Sequence, residues 1–263
     1  MLKIEHLRKT FNAGTINEKV IFSDFNLEVN DGDFITVIGS NGAGKSTLLN
    51  LISGSILPDG GKITLNGENI TFLSDVHRSK HIGRVFQDPR MGTAADMWIS
   101  ENMALALRRG DRRSLKWGIA KGEELEFFKK QLARLGLGLE NRTETKVGLL
   151  SGGQRQAITL LMATLKKPDL LLLDEHTAAL DPKTAATVLD LSDKIVRENN
   201  LTTLMVTHNM QNAIDYGNRL VMLHSGKVIF DIRGEDKKKL TVSDLMEKFS
   251  SIGGALSDSA VLS

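Results

Sequence analysis

The sequence predicts an α/β protein with a mostly parallel sheet, an antiparallel β subdomain at the N-terminus and a helical lobe. Three observations carry this expectation. Short apolar runs at Phe34–Ile38, Leu170–Leu173 and Thr202–Thr207 end in a glycine, an acid and a histidine, as strands covered on both faces do. Helical segments separate these runs, and such alternation implies a parallel sheet. From about Arg90 to Lys167 the chain instead has helical periodicity.

Each element follows from its local pattern. Leu2 to Leu7 alternate in and out, Val20 to Val29 form a second β-like stretch, and the polar turn NAGTINEK lies between them, so the two should pair antiparallel. FITVI, Phe34 to Ile38, runs into glycine, and Lys45 to Ser53 reads as the helix that follows. In the lobe, Leu125, Phe128, Leu132 and Leu135 share one helical face. Arg219 to His224, then Ser-Gly, then Lys227 to Ile232 is a hairpin signal. Ligands of open α/β sheets bind beyond the carboxyl ends of the strands, where Gly39, Asp174 and His208 should emerge. The expected organisation is one domain over residues 1–235, with the lobe at about 90–167, followed by a short helix and a flexible tail, SIGGALSDSAVLS, within 236–263.

Bulk properties exclude some classes and leave others open. The 263 residues suffice for a substantial core, and 41% hydrophobic and 25% charged residues are ordinary soluble usage. No apolar run approaches the ~18 residues of a spanning helix, and the N-terminus lacks a signal-peptide core, so the chain is expected to stay where it is made. With no cysteine there is no disulfide or thiol chemistry. A net charge of +2 does not argue for nucleic acid. The basic stretch RRGDRRSLKWGIAKGEE, 108–124, reads as a solvated connector or a surface facing a partner or lipid headgroups. His77 and His81 have helical i, i+4 spacing, but no third ligand is near and Arg78 and Lys80 would repel a cation, so they are read as structural.

Gly39-Ser40-Asn41-Gly42-Ala43-Gly44-Lys45-Ser46-Thr47 matches GxxxxGK[ST]. Glycines at 39, 42 and 44 allow backbone N–H groups to turn inward around phosphate oxygens, and the helix behind adds its positive end. Lys45 would reach the β- and γ-phosphates and Ser46 would bind Mg²⁺. The protein is therefore expected to bind a nucleoside triphosphate, ATP, with Mg²⁺.

LLLLDEHTAALDP, Leu170 to Pro182, places two carboxylates and a histidine after a buried run. Alone it is compatible with a metal site, an acid–base pair or a polar turn. Beside a phosphate loop, Asp174 fits the strand-end acid that holds Mg²⁺ through water, and Glu175 is placed to polarise an attacking water.

Leu150-Ser151-Gly152-Gly153-Gln154 narrows the class, because LSGGQ followed by the helical run RQAITLLMATLKK resembles the signature of ABC-transporter ATPases. The resemblance also takes in the phosphate loop, Gln87 in RVFQDP, Asp174 with Glu175, the ALD turn at 179–181, and His208 after TTLMVT. It implies a phosphate-loop NTPase (RecA-like) core, and adenine stacking for Phe11. Gln87 would reach Mg²⁺ and the water. His208 would contact the γ-phosphate and hold the water or Glu175, and Asp181 would face a second chain. It further implies that two copies stack head to tail and clamp ATP between one chain's phosphate loop and the other's Ser151 to Gln154.

The resemblance implies Mg-dependent ATP hydrolysis driving solute transport through a separate membrane permease, at the cytoplasmic face of the membrane as a peripheral subunit. Import of an amino acid or similar small solute, with a solute-binding protein engaged indirectly, is the leading expectation. DEHTAALDP and the long segment after Gln87 look like the tryptophan or tyrosine subgroup. The alternatives are a separate-chain exporter and a soluble ABC ATPase acting on nucleic acid or ribosomes. The latter is disfavoured by the single phosphate loop and the short span from Gln87 to Ser151, and no nucleic-acid partner is expected. Three departures stand out: Ala157 and Met162 where arginines are common, a longer segment from Gln87 to Glu101, and His176 in place of the usual proline. The first should alter packing more than chemistry, the second partner specificity, and His176 should hydrogen-bond within its turn.

Overall fold

A computed structural model describes residues 1–111 and 122–251. Most of the basic stretch 108–124 and nearly all of the tail from 251 lie outside the described residues. In chain order the elements are β1 Leu2–Phe11, β2 Lys19–Val29, β3 Phe34–Gly39, α1 Lys45–Ser53, β4 Gly60–Leu65, β5 Glu68–Asn69, α2 Asp75–Arg78 and β6 Ile82–Val85. There follow α3 Ile99–Leu107, α4 Glu123–Ala133, α5 Gly152–Thr164, β7 Leu170–Asp174, α6 Pro182–Asn199 and β8 Thr203–Val206. The last are α7 Met210–Asp215, β9 Arg219–His224, β10 Lys227–Arg233, α8 Gly234–Lys238 and α9 Val242–Ser251.

The chain divides into two compact units, Met1–Arg78 with the described residues from Asn200 onward, and Ser79–Asn199. In the first unit, β1 pairs antiparallel with β2 and with β4, and β4 with β5, which is the expected N-terminal antiparallel sheet enlarged by two strands. The same unit holds β3 between β8 and β9, parallel to both, with β10 antiparallel to β9. Ser225 and Gly226 both have positive φ, as the tight β9–β10 hairpin requires. Helix α9 buries Leu245 and Phe249 against Ile38, Met210, Ala213, Leu220 and Met222.

The second unit contains β6 parallel to β7 and the helical lobe. Strand β6 is absent from the sequence expectation, because its four residues include a glycine and an arginine and so break the apolar run. The lobe core gathers Phe128, Leu132 and Leu135, with Leu125 packed against it, as the shared face implies. Ala157 and Met162 are buried in this same core. His77 lies on α2, which ends at Arg78 before His81 is reached, and bonds Ser74, whereas His81 bonds Asp169. Among the described residues no helix is long and apolar enough to cross a membrane.

Phe128 is fully buried in the lobe core, so Phe128→Ala is expected to lower unfolding free energy by about 3–5 kcal/mol, read by urea denaturation followed by circular dichroism.

Candidate functional site

In the first unit, the parallel register of β3 and β8 pairs Val37 with Val206. Two residues beyond each, Gly39 and His208 leave adjacent strands at the same carboxyl edge. Both strands are buried along their length, so this edge is where their polar chemistry can reach solvent. His208 is half-buried, and Asn209 beside it caps α7 by accepting from Asn212 N–H at 2.8 Å.

The loop 39–47 is shaped by backbone torsions. Gly42 and Gly44 have φ of 80° and 104°, in the left-handed region that a side chain opposes. A Cβ at Gly44 would come within 2.7 Å of Phe22. Ser40, Asn41 and Ala43 complete the loop, with Ala43 O accepting from Gly226 N–H of the hairpin at 3.2 Å. Ser46 and Thr47 belong to the first turn of α1. Lys45 is only 7% exposed and donates to the loop carbonyls of Gly39 at 2.8 Å and Ser40 at 3.2 Å. Its ammonium is thus held inside the loop, at the place where phosphate charge would be received.

Phe11 is half-buried, unlike Phe22 and Phe25, which form the core of this region. It pairs in register with Lys19, whose ammonium lies 3.6 Å from where a Cβ on Gly42 would stand. Strand pairing therefore sets Phe11 beside Lys19, whose side chain reaches the phosphate loop, with the Lys9 ammonium 5.5 Å from the Phe11 ring centroid.

The second unit repeats the arrangement with different residues. Register pairs Val85 of β6 with Leu173 of β7, and two residues beyond each stand Gln87 and Glu175. Asp174 is the last residue of β7. Glu175 has φ of 44°, an uncommon torsion for a residue with a side chain, which turns the chain sharply off the strand. Asp174 receives a 2.8 Å hydrogen bond from Arg84 Nη2. The arginine was not among the residues singled out from sequence, although a charge inside a buried strand is the kind of signal that marks a paired group.

Ser151 is the N-cap of α5. Its Oγ accepts from Gln154 N–H at 3.3 Å and its own N–H donates to Gln154 Oε1 at 3.2 Å, a capping box. Gly152 is exposed, whereas Gly153 is buried where a Cβ would overlap Thr184 of α6. The signature glycine at 153 therefore has a packing reason independent of any ligand. Asp181 caps α6 by accepting from Thr184 N–H at 3.1 Å. Hydrogen bonds from Thr184 hold its carboxyl below the usual range. Gln156 Nε2 donates to Phe86 O at 3.0 Å, tying α5 to the segment that carries Gln87.

His176 does not bond within its turn. The turn is closed by backbone bonds, Ala178 N–H to Glu175 O and Leu180 N–H to Thr177 O. The imidazole is 2% exposed and its Nε2 lies 2.9 Å from Ser192 Oγ on α6. Because the Ser192 hydroxyl donates its one proton to Val188 O at 2.8 Å, Nε2–H must be the donor to Ser192. Burial pushes the imidazole pKa down to about 4, so it is neutral near pH 7.

Comparisons with known proteins agree with this geometry. A family model described as ABC transporter matches residues 22–178. A tyrosine transport ATP-binding protein of Clostridioides difficile (strain R20291) is 48% identical over 250 residues, covering 95% of this chain and 98% of that protein. The ABC transporter ATP-binding protein YxdL of Bacillus subtilis (strain 168) is 31% identical, covering 98% and 96%. Among solved structures, the dimeric post-hydrolysis state of the ATP-binding cassette MJ0796 bound to ADP and Pi has a TM-score of 0.74 at 28% identity, covering 89% of this chain and 98% of that one. The ADP conformation of the ATP-binding cassette MJ1267 has a TM-score of 0.76 at 27% identity, covering 95% and 98%.

A neutral buried His176 makes stability fall as pH drops from about 6.5 toward 4, because the unfolded chain takes up a proton that the folded chain refuses. The full effect is roughly 3 kcal/mol. His176→Asn is expected to lose less stability than the parent chain between pH 7 and pH 5, measured by urea midpoints at each pH. Because the turn is closed by its backbone, His176→Pro is expected to slow ATP hydrolysis by less than about tenfold in a phosphate-release assay.

Proposed function

Since this chain belongs to the ABC transporter family and is an ATP-hydrolysing ATPase of that family, we propose that it is the motor subunit of an importer for tyrosine or a related amino acid. The single observation that carries the cargo is the 48% identity, along nearly the full length of both chains, to a tyrosine transport ATP-binding protein. Cargo is selected by other subunits, so this chain's share of the work is to bind ATP, close, hydrolyse and reopen.

The residues divide this work by their chemistry. Lys45 and the inward backbone N–H groups of Gly39 to Thr47 receive the phosphates, and Phe11 offers an aromatic face for adenine. Glu175 orients the attacking water and His208 steadies it against the γ-phosphate. The donors assigned to the metal are the Ser46 hydroxyl, the Gln87 amide oxygen and the Asp174 carboxylate, all hard oxygen atoms, which fit Mg²⁺. Among the described residues no group of three or more His, Cys, Asp or Glu side chains is placed to hold a metal. Few carboxylates plus substrate phosphates is how Mg²⁺ is ordinarily bound in such sites. When bound, Mg²⁺ neutralises charge developing between the β- and γ-phosphates.

Ser151 to Gln154 present the start of α5, where the exposed Gly152 and the helix dipole favour an anion. In our reading they meet the ATP held by a second copy, with Asp181 at the same interface, so that hydrolysis releases the two copies. Residues 1–235 form the ATPase domain, with the helical lobe at about 90–167. Segment 87–101 and the lobe surface meet the transmembrane permease at the cytoplasmic face of the membrane. The segment is itself ordered by the Asn102 amide, which bonds both N–H and C=O of Ala94.

Two substitutions test the assignment. Lys45→Ala is expected to abolish nucleotide binding in a fluorescent-ATP titration, and unchanged affinity would remove the phosphate-loop assignment. Glu175→Gln should still bind ATP but accumulate as an ATP-dependent dimer in sedimentation velocity; a monomer at saturating ATP would count against the clamp. Tyrosine uptake by vesicles carrying the permease and binding protein, lost with either substitution, reads the cargo.

A further inference from the structure

Arg84 is the third of the four residues of β6, opposite Leu172 of β7, two residues before that strand's end at Asp174. Its guanidinium lies 2.8 Å from Asp174 Oδ2 and 4.6 Å from the ring centroid of Phe86. The two charged side chains are only 12% and 13% exposed. A surface pair of this kind would be largely screened and worth little, but this one is mostly shielded from solvent. Stacking on Phe86 restricts the planar guanidinium further, so the pair is a defined feature of the fold.

The arrangement bears directly on metal binding. Asp174 is already neutralised by a fixed cation at the atom distance of a hydrogen bond. A bare divalent cation approaching the same carboxylate meets the field of that cation, whereas a cation arriving on a nucleotide carries its own excess of negative charge. We propose that Arg84 is the resident counter-ion of Asp174, holding the carboxylate in place without metal and biasing the site against free Mg²⁺ in favour of the Mg²⁺–nucleotide complex. The role is one of positioning and selectivity, and it rests on Asp174 being the acid that serves the metal. It also accounts for a charge in the interior of a short buried strand, which is costly unless paired.

The test uses Mn²⁺ as the probe, followed by electron paramagnetic resonance, with the full chain and a non-hydrolysable ATP analogue. Wild type is expected to bind free Mn²⁺ weakly and Mn²⁺ with the analogue well. Arg84→Gln and Arg84→Met should each bind free Mn²⁺ about tenfold more tightly, the effect of removing one neighbouring charge from a carboxylate. Their binding of Mn²⁺ with the analogue should rise less, so the selectivity ratio falls. Unchanged free-Mn²⁺ affinity in a folded Arg84 variant would overturn the proposal. Asp174→Asn separates this from failure of the underlying assignment: if it leaves Mn²⁺–analogue binding intact, Asp174 is not a metal-serving residue at all. Should both Arg84 variants fail to fold, arginine-selective ¹⁵N spectra of the wild-type chain decide. The Arg84 guanidinium resonance should move when Mg²⁺ and the analogue are added together and not with Mg²⁺ alone; equal responses would sink the idea.

Discussion

Parallel pairing of strands buried on both faces is the constraint on which the rest of this protein depends. Such a strand has no solvent side along its length, so a polar side chain within it needs a partner in the protein, and those meant for a ligand are carried where it ends. In-register pairing then fixes which of them become neighbours. Val37 opposite Val206 delivers Gly39 beside His208, and Val85 opposite Leu173 delivers Gln87 beside Glu175. A one-residue slip would break these pairs and reverse the direction of each following side chain. The apolar strand interiors thus set the positions of the groups proposed for the chemistry.

Local backbone strain supplies the second ingredient. The phosphate loop needs left-handed torsions at Gly42 and Gly44, and the surroundings leave no volume for a Cβ at Gly44. The hairpin turn at Ser225 and Gly226 braces the loop through Ala43, so loop and hairpin are mutually dependent although far apart in sequence. Glu175 takes a left-handed torsion without being glycine, and a cost of this kind persists where the surrounding structure enforces it. The backbone bond from Ala178 N–H to Glu175 O supplies part of that enforcement.

Departures from the family pattern are explained by burial. Ala157 and Met162 fill the lobe core, where an arginine would require a partner. His176 faces inward against α6 and is neutral, so it fastens the loop bearing Glu175 to Ser192. Arg84 is tolerated in a buried strand because Asp174 and Phe86 receive it. For His176 and Arg84 the residue type alone left the role open, and the neighbours decided it.

The sequence by itself determined the fold class, the antiparallel N-terminal strands, the helix after the phosphate loop, the lobe face at Phe128 and Leu132, the hairpin and the family. These depend on short-range periodicity and contiguous motifs, which are local properties of the chain. It left β6 unseen, since four residues with a glycine and an arginine carry no periodic signal. Only the tertiary structure decided that Phe11 is half-buried beside Lys19 while Phe22 and Phe25 are core, that Gly153 is a close-packing residue, that His176 turns toward Ser192, and that Arg84 holds Asp174. Each of these is a contact between residues distant in sequence, and such contacts are set by strand register and helix packing, which no local pattern contains.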